Sequence, residues 1–312
     1  MKSLRKPHRL FRGELVEVRT SREISETLDE NGKLDGVPFM PEMIPYCGKR
    51  VRVFRRADKT CVEGHGLRRL ESTVLLEDLR CDGASHDGCQ RNCLFFWKEA
   101  WLKPIDEPYQ PLPKVKPGNS ADSGSLSNLA TRHADRYYCQ STELYAATSP
   151  LSRWNVTQFL REMLQGELTL RDFFQIFFQT ARTRFLRLKE SGLLVGTAGK
   201  KQKGDLNLQP GEWIDVKKPA EIEAALDAGS KNCGLAYVPS MSEYIGGRYQ
   251  VEFPVKKIIL EQTGKMVTLT NTVALKGVNC QGVCVKNCPR SSNLYWRESW
   301  LQRVDSTTAS PN

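Results

Sequence analysis

The sequence predicts an α+β protein in which two duplicated, small SH3-like β-barrel modules flank an α-helical middle segment. Three observations predict it. The stretch 13–105 recurs at 211–304, strand-like alternation with turn residues recurs inside each copy, and the residues between the copies change to helical periodicity. At an offset of 198, fifteen of the 41 positions 13–53 are identical to their counterparts, among them Gly13/Gly211, Glu23/Glu221, Ile24/Ile222, Met43/Met241 and Tyr46/Tyr244. After a loop that differs by one residue the offset becomes 199. Thr73, Cys81, Cys89, Arg91, Trp97, Glu99 and Trp101 then meet Thr272, Cys280, Cys288, Arg290, Trp296, Glu298 and Trp300. Two copies at so long a period make a duplicated domain and exclude a solenoid, which stacks shorter repeats.

Along the chain, residues 1–12 form a basic tail with five cationic and no acidic side chains. Each module opens on a short strand, 14–18 or 212–216. A helix is expected next. Thr20 with Glu23 has the form of a capping box, and Pro219 suits the first helical position of the second copy. The helical stripe is Ile24, Thr27 and Leu28, matched by Ile222, Ala225 and Leu226. Further strands are expected at 50–54, 72–79, 249–253 and 266–275, closing a small, strongly bent sheet. Residues 106–127, rich in Pro, Gly and Ser, read as a flexible linker. The segment 128–192 reads as helical: Asn155 with Gln158 and Thr169 with Asp172 cap two runs, the second carrying Phe173, Phe174, Phe177 and Phe178 on one side and arginines elsewhere. Residues 193–210 return the chain to module 211–304, and 305–312 form a tail.

Composition excludes several classes. The 312 residues are 39% hydrophobic and 26% charged, and no apolar run reaches the length of a membrane span. A transmembrane protein is therefore not expected, although the amphipathic stretch 169–190 is a candidate for peripheral membrane contact. The net charge of +10 raises nucleic acid as a partner. That reading is disfavoured, because residues 13–105 hold 15 basic against 16 acidic side chains and the excess lies in the tail and the middle. The basic N-terminus has no apolar core and does not read as a secretory signal, so a cytoplasmic location is expected. Ten cysteines in a reducing compartment point to metal binding or thiol chemistry ahead of disulfides.

The cysteine spacing carries the strongest chemical signal. Cys81, Cys89 and Cys93 in the first copy stand against Cys280, Cys284 and Cys288 in the second, with the C-x7-C pair shared and the third thiol displaced. Thiolates from several loop positions can close one tetrahedron, so a structural zinc is expected first and an iron–sulfur cluster second. Fourth-ligand candidates are His86 and Cys139, with Cys47, Cys61 and Cys233 as others. Beside the cysteines, Trp97-x-Glu99-x-Trp101 and Trp296-x-Glu298-x-Trp300 are candidate binding residues. The same spacing also fits core tryptophans, with each carboxylate paired to an arginine such as Arg91 or Arg290. No phosphate loop, G-x-S-x-G elbow or H-E-x-x-H pair occurs, and no catalytic residue is identified.

The residues 34–43 (LDGVPFMPEM), 89–93 (CQRNC) and 96–102 (FWKEAWL) resemble a group of uncharacterised bacterial proteins with two copies of a Cys-rich module ending in WxEAWL. The resemblance covers both repeats and the region of Tyr138, Cys139 and Gln140. It implies a bacterial, cytoplasmic protein and supplies no catalytic residues. The second copy departs from the pattern at residues 235–238 and at its third cysteine. The leading expectation is a metal-stabilised binding or accessory protein whose partner is another protein or a biosynthetic intermediate. The alternatives are a metal- or thiol-dependent accessory enzyme working through the first cysteine loop and His86, and a nucleic-acid binder using Arg50, Arg52, Arg55 and Arg56.

Overall fold

The computed structural model describes residues 9–107, 126, 128–151, 162–163, 171, 174, 193–196, 204–282 and 287–304. The first copy runs β1 (Leu15–Val18), α1 (Ser21–Ser25), β2 (Lys33–Leu34), β3 (Val37–Pro38), a 3-10 turn over Pro41–Tyr46, β4 (Arg50–Arg56), β5 (Lys59–Val62), β6 (Gly66–Arg69), β7 (Thr73–Arg80), β8 (Leu94–Lys98), a 3-10 turn over Glu99–Trp101 and β9 (Leu102–Pro104). The insert holds β10 (Arg132–His133), β11 (Arg136–Tyr137), α2 (Gln140–Glu143) and β12 (Ser149–Pro150). The second copy repeats the plan with β13 (Trp213–Val216), α3 (Pro219–Glu223), β14 (Lys231–Asn232), β15 (Leu235–Ala236), β16 (Arg248–Pro254), β17 (Lys257–Ile259), β18 (Met266–Thr268), β19 (Thr272–Asn279), β20 (Asn293–Arg297) and β21 (Leu301–Arg303).

Local chemistry explains the shared start. Thr20 Oγ1 accepts from Glu23 N–H at 3.3 Å while the Glu23 carboxylate accepts from Thr20 N–H at 3.0 Å, the reciprocal cap the spacing predicts. Pro219 fills the first turn of α3. Both helices stop after five residues, and Thr27 and Leu28 continue in tight turns, with N–H groups donating to Ile24 O and Ser25 O.

In each copy five strands pair antiparallel, in the orders β8-β7-β4-β1-β9 and β20-β19-β16-β13-β21. Both sheets bend at one matching place. The register slips between Val53 and Arg55 against β7, and between Val251 and Phe253 against β19, and such a bulge turns a flat ladder sharply. The concave faces bury equivalent side chains: Val16, Ile24, Met43, Val53, Trp97 and Trp101 in one core, and Ile214, Ile222, Met241, Val251, Trp296 and Trp300 in the other. Phe39 meets Trp101 edge-on at 5.2 Å, and Tyr237 meets Trp300 in the same way at 5.9 Å. The duplication is therefore structural as well as sequential.

Compact units and sequence repeats do not coincide. The first unit comprises residues 1–176 together with Ile259–Met266 and Asn287–Arg290, and the second comprises 177–258, 267–286 and 291–312. Two short pieces of the second copy thus belong to the first unit.

The middle segment departs from expectation. Its described part, 128–151, holds the β10–β11 hairpin, one helical turn and β12, which pairs with β6 through Ser149 and Arg69. The sequence conceals the hairpin because Ala134 makes its turn at φ +51° with no glycine to mark it. The helices expected over 155–190, and with them the membrane-contact stretch 169–190, lie outside the described residues except for single helical positions. Most of the 106–127 linker also lies outside, but Leu126 is buried in the first core. No helix among the described residues is long and apolar enough to cross a membrane.

Candidate functional site

The loop between β7 and β8 is built to bring its cysteines round. Cys81 N–H donates to Cys93 O at 2.8 Å, closing the neck, and Cys280 N–H does the same to Ser292 O in the second copy. Inside the loop Gly83 O accepts from both His86 N–H and Gly88 N–H at 2.9 Å. Gly83 sits at φ +70°, and a Cβ there would lie 2.2 Å from Cys89 O, so only glycine fits the crossing. The insert supplies a fourth thiol. Gln140 donates to Pro38 O and Phe96 O at 3.0 and 2.8 Å and accepts from Phe96 N–H at 2.8 Å, which fastens the start of α2, and Cys139 with it, to β8.

As a result Cys81, Cys89, Cys93 and Cys139 line one cavity of about 30 Å³, joined by Met40 and His86. Burial pushes the Cys81, Cys89 and Cys139 thiols up, Cys139 to about 11, and the nearness of Cys93 adds to each. All three are therefore protonated at neutral pH. The four cysteines line one recess. Among the described residues, however, no three His, Cys, Asp or Glu side chains are placed as ligands of one metal ion.

His86 is not available as a ligand. Its Nδ1 lies 2.6 Å from Glu42 Oε1 and its Nε2 lies 3.0 Å from Tyr138 O. A carbonyl oxygen only accepts, so Nε2–H donates to Tyr138 O. Burial favours the neutral ring, but the hydrogen bond and charge of Glu42 outweigh it and raise the His86 pKa. The ring pins the loop to the 3-10 turn that carries Glu42. In the second copy Ser240 occupies the place of Glu42, and its Oγ lies 3.4 Å from Cys280 Sγ.

The second cysteine triplet does not repeat the first. Cys280 belongs to the second unit, Cys284 lies outside the described residues, and Cys288 belongs to the first unit. There Cys288 Sγ lies 3.3 Å from Cys61 Sγ and accepts from Cys61 N–H at 3.4 Å. Arg290 follows it into the interior, donating to Cys61 O at 2.9 Å, to Glu261 at 2.7 and 3.2 Å, and to Ser141 Oγ at 3.3 Å. Ser141 Oγ in turn lies 3.5 Å from Cys93 Sγ, so the buried guanidinium stands one hydroxyl from the cavity. Cys61 appears in the sequence only as one leftover thiol among several. Glu261 and Ser141 carry no sequence signal, and Glu42 stands in the 34–43 motif with nothing to mark its role, because these roles arise from contacts between segments distant in the chain.

The Trp-x-Glu-x-Trp motifs are structural. Strands β8 and β20 end one residue before the glutamates, and Trp97, Trp101, Trp296 and Trp300 are all fully buried, which removes them as a stacking surface for a ligand. Glu99 pairs with Arg56 at 2.6 Å, rather than with Arg91 or Arg290, and accepts from Leu10 N–H at 2.8 Å. Glu298 accepts from the N–H groups of Leu206, Asn207 and Leu208 at 2.8–3.1 Å. Each carboxylate therefore clamps the segment that leads into its own module. The arginines of the nucleic-acid reading are likewise engaged: Arg50 with Glu17 and Glu107, Arg52 with Gly13 O, Arg55 with Asn287, and Arg56 with Asp58 and Glu99.

Comparison of the chain with family models, curated proteins and solved structures finds no match.

Proposed function

We propose that the chain is a cysteine-dependent binding or accessory protein whose working site is the sulfur-lined cavity of the first unit, and that its thiols, which are not placed as ligands of one ion as they stand, draw together to take up one soft metal ion of the zinc class. The observation that carries this reading is the convergence of Cys81, Cys89, Cys93 and Cys139, from a loop and an insert far apart in sequence, on one recess. Its volume of about 30 Å³ has room for an ion or a water molecule. Thiol donors select soft ions over magnesium or calcium. His86 serves the site indirectly by holding the loop. We read the two bent sheets as small barrels of SH3-like type, the first of which carries this centre.

Thiols held protonated by burial must release their protons to bind an ion, so affinity is expected to rise steeply with pH. The test is zinc titration of the full chain, with proton release measured in parallel and with Cys93→Ser and Cys139→Ser as controls. Tight, single-ion uptake with at least two protons released, lost in both variants, supports the reading. Uptake no different from that of the variants, together with purified protein free of zinc and iron, would remove it.

A further inference from the structure

The cavity leaves Cys61 and Cys288 unused. The first lies half-buried on β5 and the second is buried in the loop before β20, with their sulfurs 3.3 Å apart. A disulfide spans about 2.05 Å, so the two sulfurs need to approach by roughly 1.3 Å to close the bond. A comparison inside the chain shows that this pairing is not a demand of the fold. At offset 198, Cys61 corresponds to Ile259, and Ile259 makes the same contacts to the other cysteine loop: its N–H donates to Cys89 Sγ at 3.3 Å, and its carbonyl accepts from Arg91 at 3.0 Å. Cys61 N–H donates to Cys288 Sγ, and Cys61 O accepts from Arg290. The backbone scheme is one and the same, and isoleucine satisfies it. A second sulfur is present at one of the two places only.

We propose that Cys61 and Cys288 form a redox-active dithiol that closes to a reversible disulfide by exchange with a low-molecular-weight disulfide.

The surroundings divide the work between the two sulfurs. Cys288 is the more acidic of the two, its pKa lowered to about 6 by the hydrogen bond it shares with Cys61 and then by Arg290, against the opposing effect of burial. Matching Cys89, beside Ile259, is instead pushed up. The buried Cys288 thiolate takes the proton of the more accessible Cys61. The Cys61 sulfur then attacks one sulfur of the disulfide RSSR, forming a mixed disulfide and releasing RS⁻. Cys288, giving its proton to that leaving thiolate, attacks the Cys61 sulfur, expels the second RS⁻ and closes the protein disulfide. Two protein thiols are oxidised and one RSSR is reduced to two thiols, the second RS⁻ taking its proton from solvent in exchange for the one originally lost by Cys288. Reduction by excess thiol runs the same steps backwards. Because the pair is outside the cavity, the proposal does not depend on metal uptake.

The experiment uses the full reduced chain, treated with glutathione disulfide, quenched by alkylation and analysed by intact mass and peptide mapping. The expected product has lost two hydrogens, carries a single link joining the peptides of Cys61 and Cys288, and returns to the dithiol with dithiothreitol. In Cys288→Ser the reaction is expected to stop at the mixed disulfide on Cys61, a gain of one glutathionyl group. Cys61→Ile copies the residue already tolerated at the matching position, so it should fold normally and yield neither product. A link between any other pair, or folded wild-type protein that gains no 61–288 link, overturns the proposal. Loss of zinc binding without loss of the link would count against the cavity reading alone.

Discussion

Ile259 donates its N–H to Cys89 Sγ at 3.3 Å, the contact that Cys61 makes to Cys288 at the corresponding place. An isoleucine stands at one place and a second sulfur at the other. Ile259→Cys is therefore expected to create a second dithiol, so that oxidation removes four hydrogens instead of two. Intact mass after treatment with glutathione disulfide and alkylation checks this. A product still short of only two hydrogens, with the introduced thiol alkylated, would show that the two backbone schemes do not place sulfurs alike.

The clamp formed by Glu99 and Arg56 is buried on both sides and sets the entry of the chain into the first module. Arg56 keeps Asp58 as a partner when Glu99 is removed, so Glu99→Ala should cost about 1–3 kcal/mol in denaturant unfolding, from the lost hydrogen bonds to Arg56 and Leu10. Glu298→Ala leaves three N–H groups without their acceptor, and about 1–3 kcal/mol is expected for each that water cannot reach. Arg56→Met combined with Glu99→Gln should recover much of the first loss. A double variant no better than Glu99→Ala would mean that the Arg56 contacts to Asp58 and to Leu10 O, which the double variant also removes, carry the effect.

Glu261 gives the first unit an acid-sensitive joint. Burial favours its neutral form, but Arg290 first and Arg91 after it hold its pKa below the ordinary carboxylate value. A carboxylate depressed in the folded state contributes stability that is complete above its unfolded pKa of about 4.3 and is lost as the pH falls below it. The stability difference between wild type and Glu261→Gln should accordingly be large at pH 7 and shrink on acidification below about pH 4. Unfolding curves measured from pH 7 to pH 3 test the slope, and a constant difference would refute it.

Thr27 and Ala225 occupy the same position in the two copies. Thr27 Oγ1 accepts from Trp101 Nε1 at 3.0 Å, whereas Trp300 Nε1 is buried without a partner. Thr27→Ala is expected to destabilise by about 1–3 kcal/mol, because it orphans a buried donor. Ala225→Thr should gain about 0.5–1.5 kcal/mol by supplying the missing acceptor. Thermal unfolding of both variants decides the matter, and the two shifts must have opposite signs.

Much of the fold was legible in the residues. The duplication, the bent sheets, the cap at Thr20 and the proline start at 219 follow from periodicity and local chemistry, which act over a few residues. What the sequence left open has a common cause. The β10–β11 hairpin has strands of two residues and a non-glycine turn, too short for a pattern to register. The tryptophans gave one spacing for two meanings, and only complete burial chose the core. His86 looked like a ligand until Glu42 and Tyr138 took both of its nitrogens.

The sequence by itself determined that the chain carries one module twice, with cysteines at fixed places in each loop, because identity at a constant offset needs no folding to be seen. Only the tertiary structure decided which thiols meet. Short pieces of the second copy belong to the first unit, so Cys288 lies against Cys61, 227 positions away, and Cys139 joins a loop it does not adjoin. Sulfur chemistry depends on separations of a few ångströms, and these are set by how distant segments pack and not by their spacing along the chain.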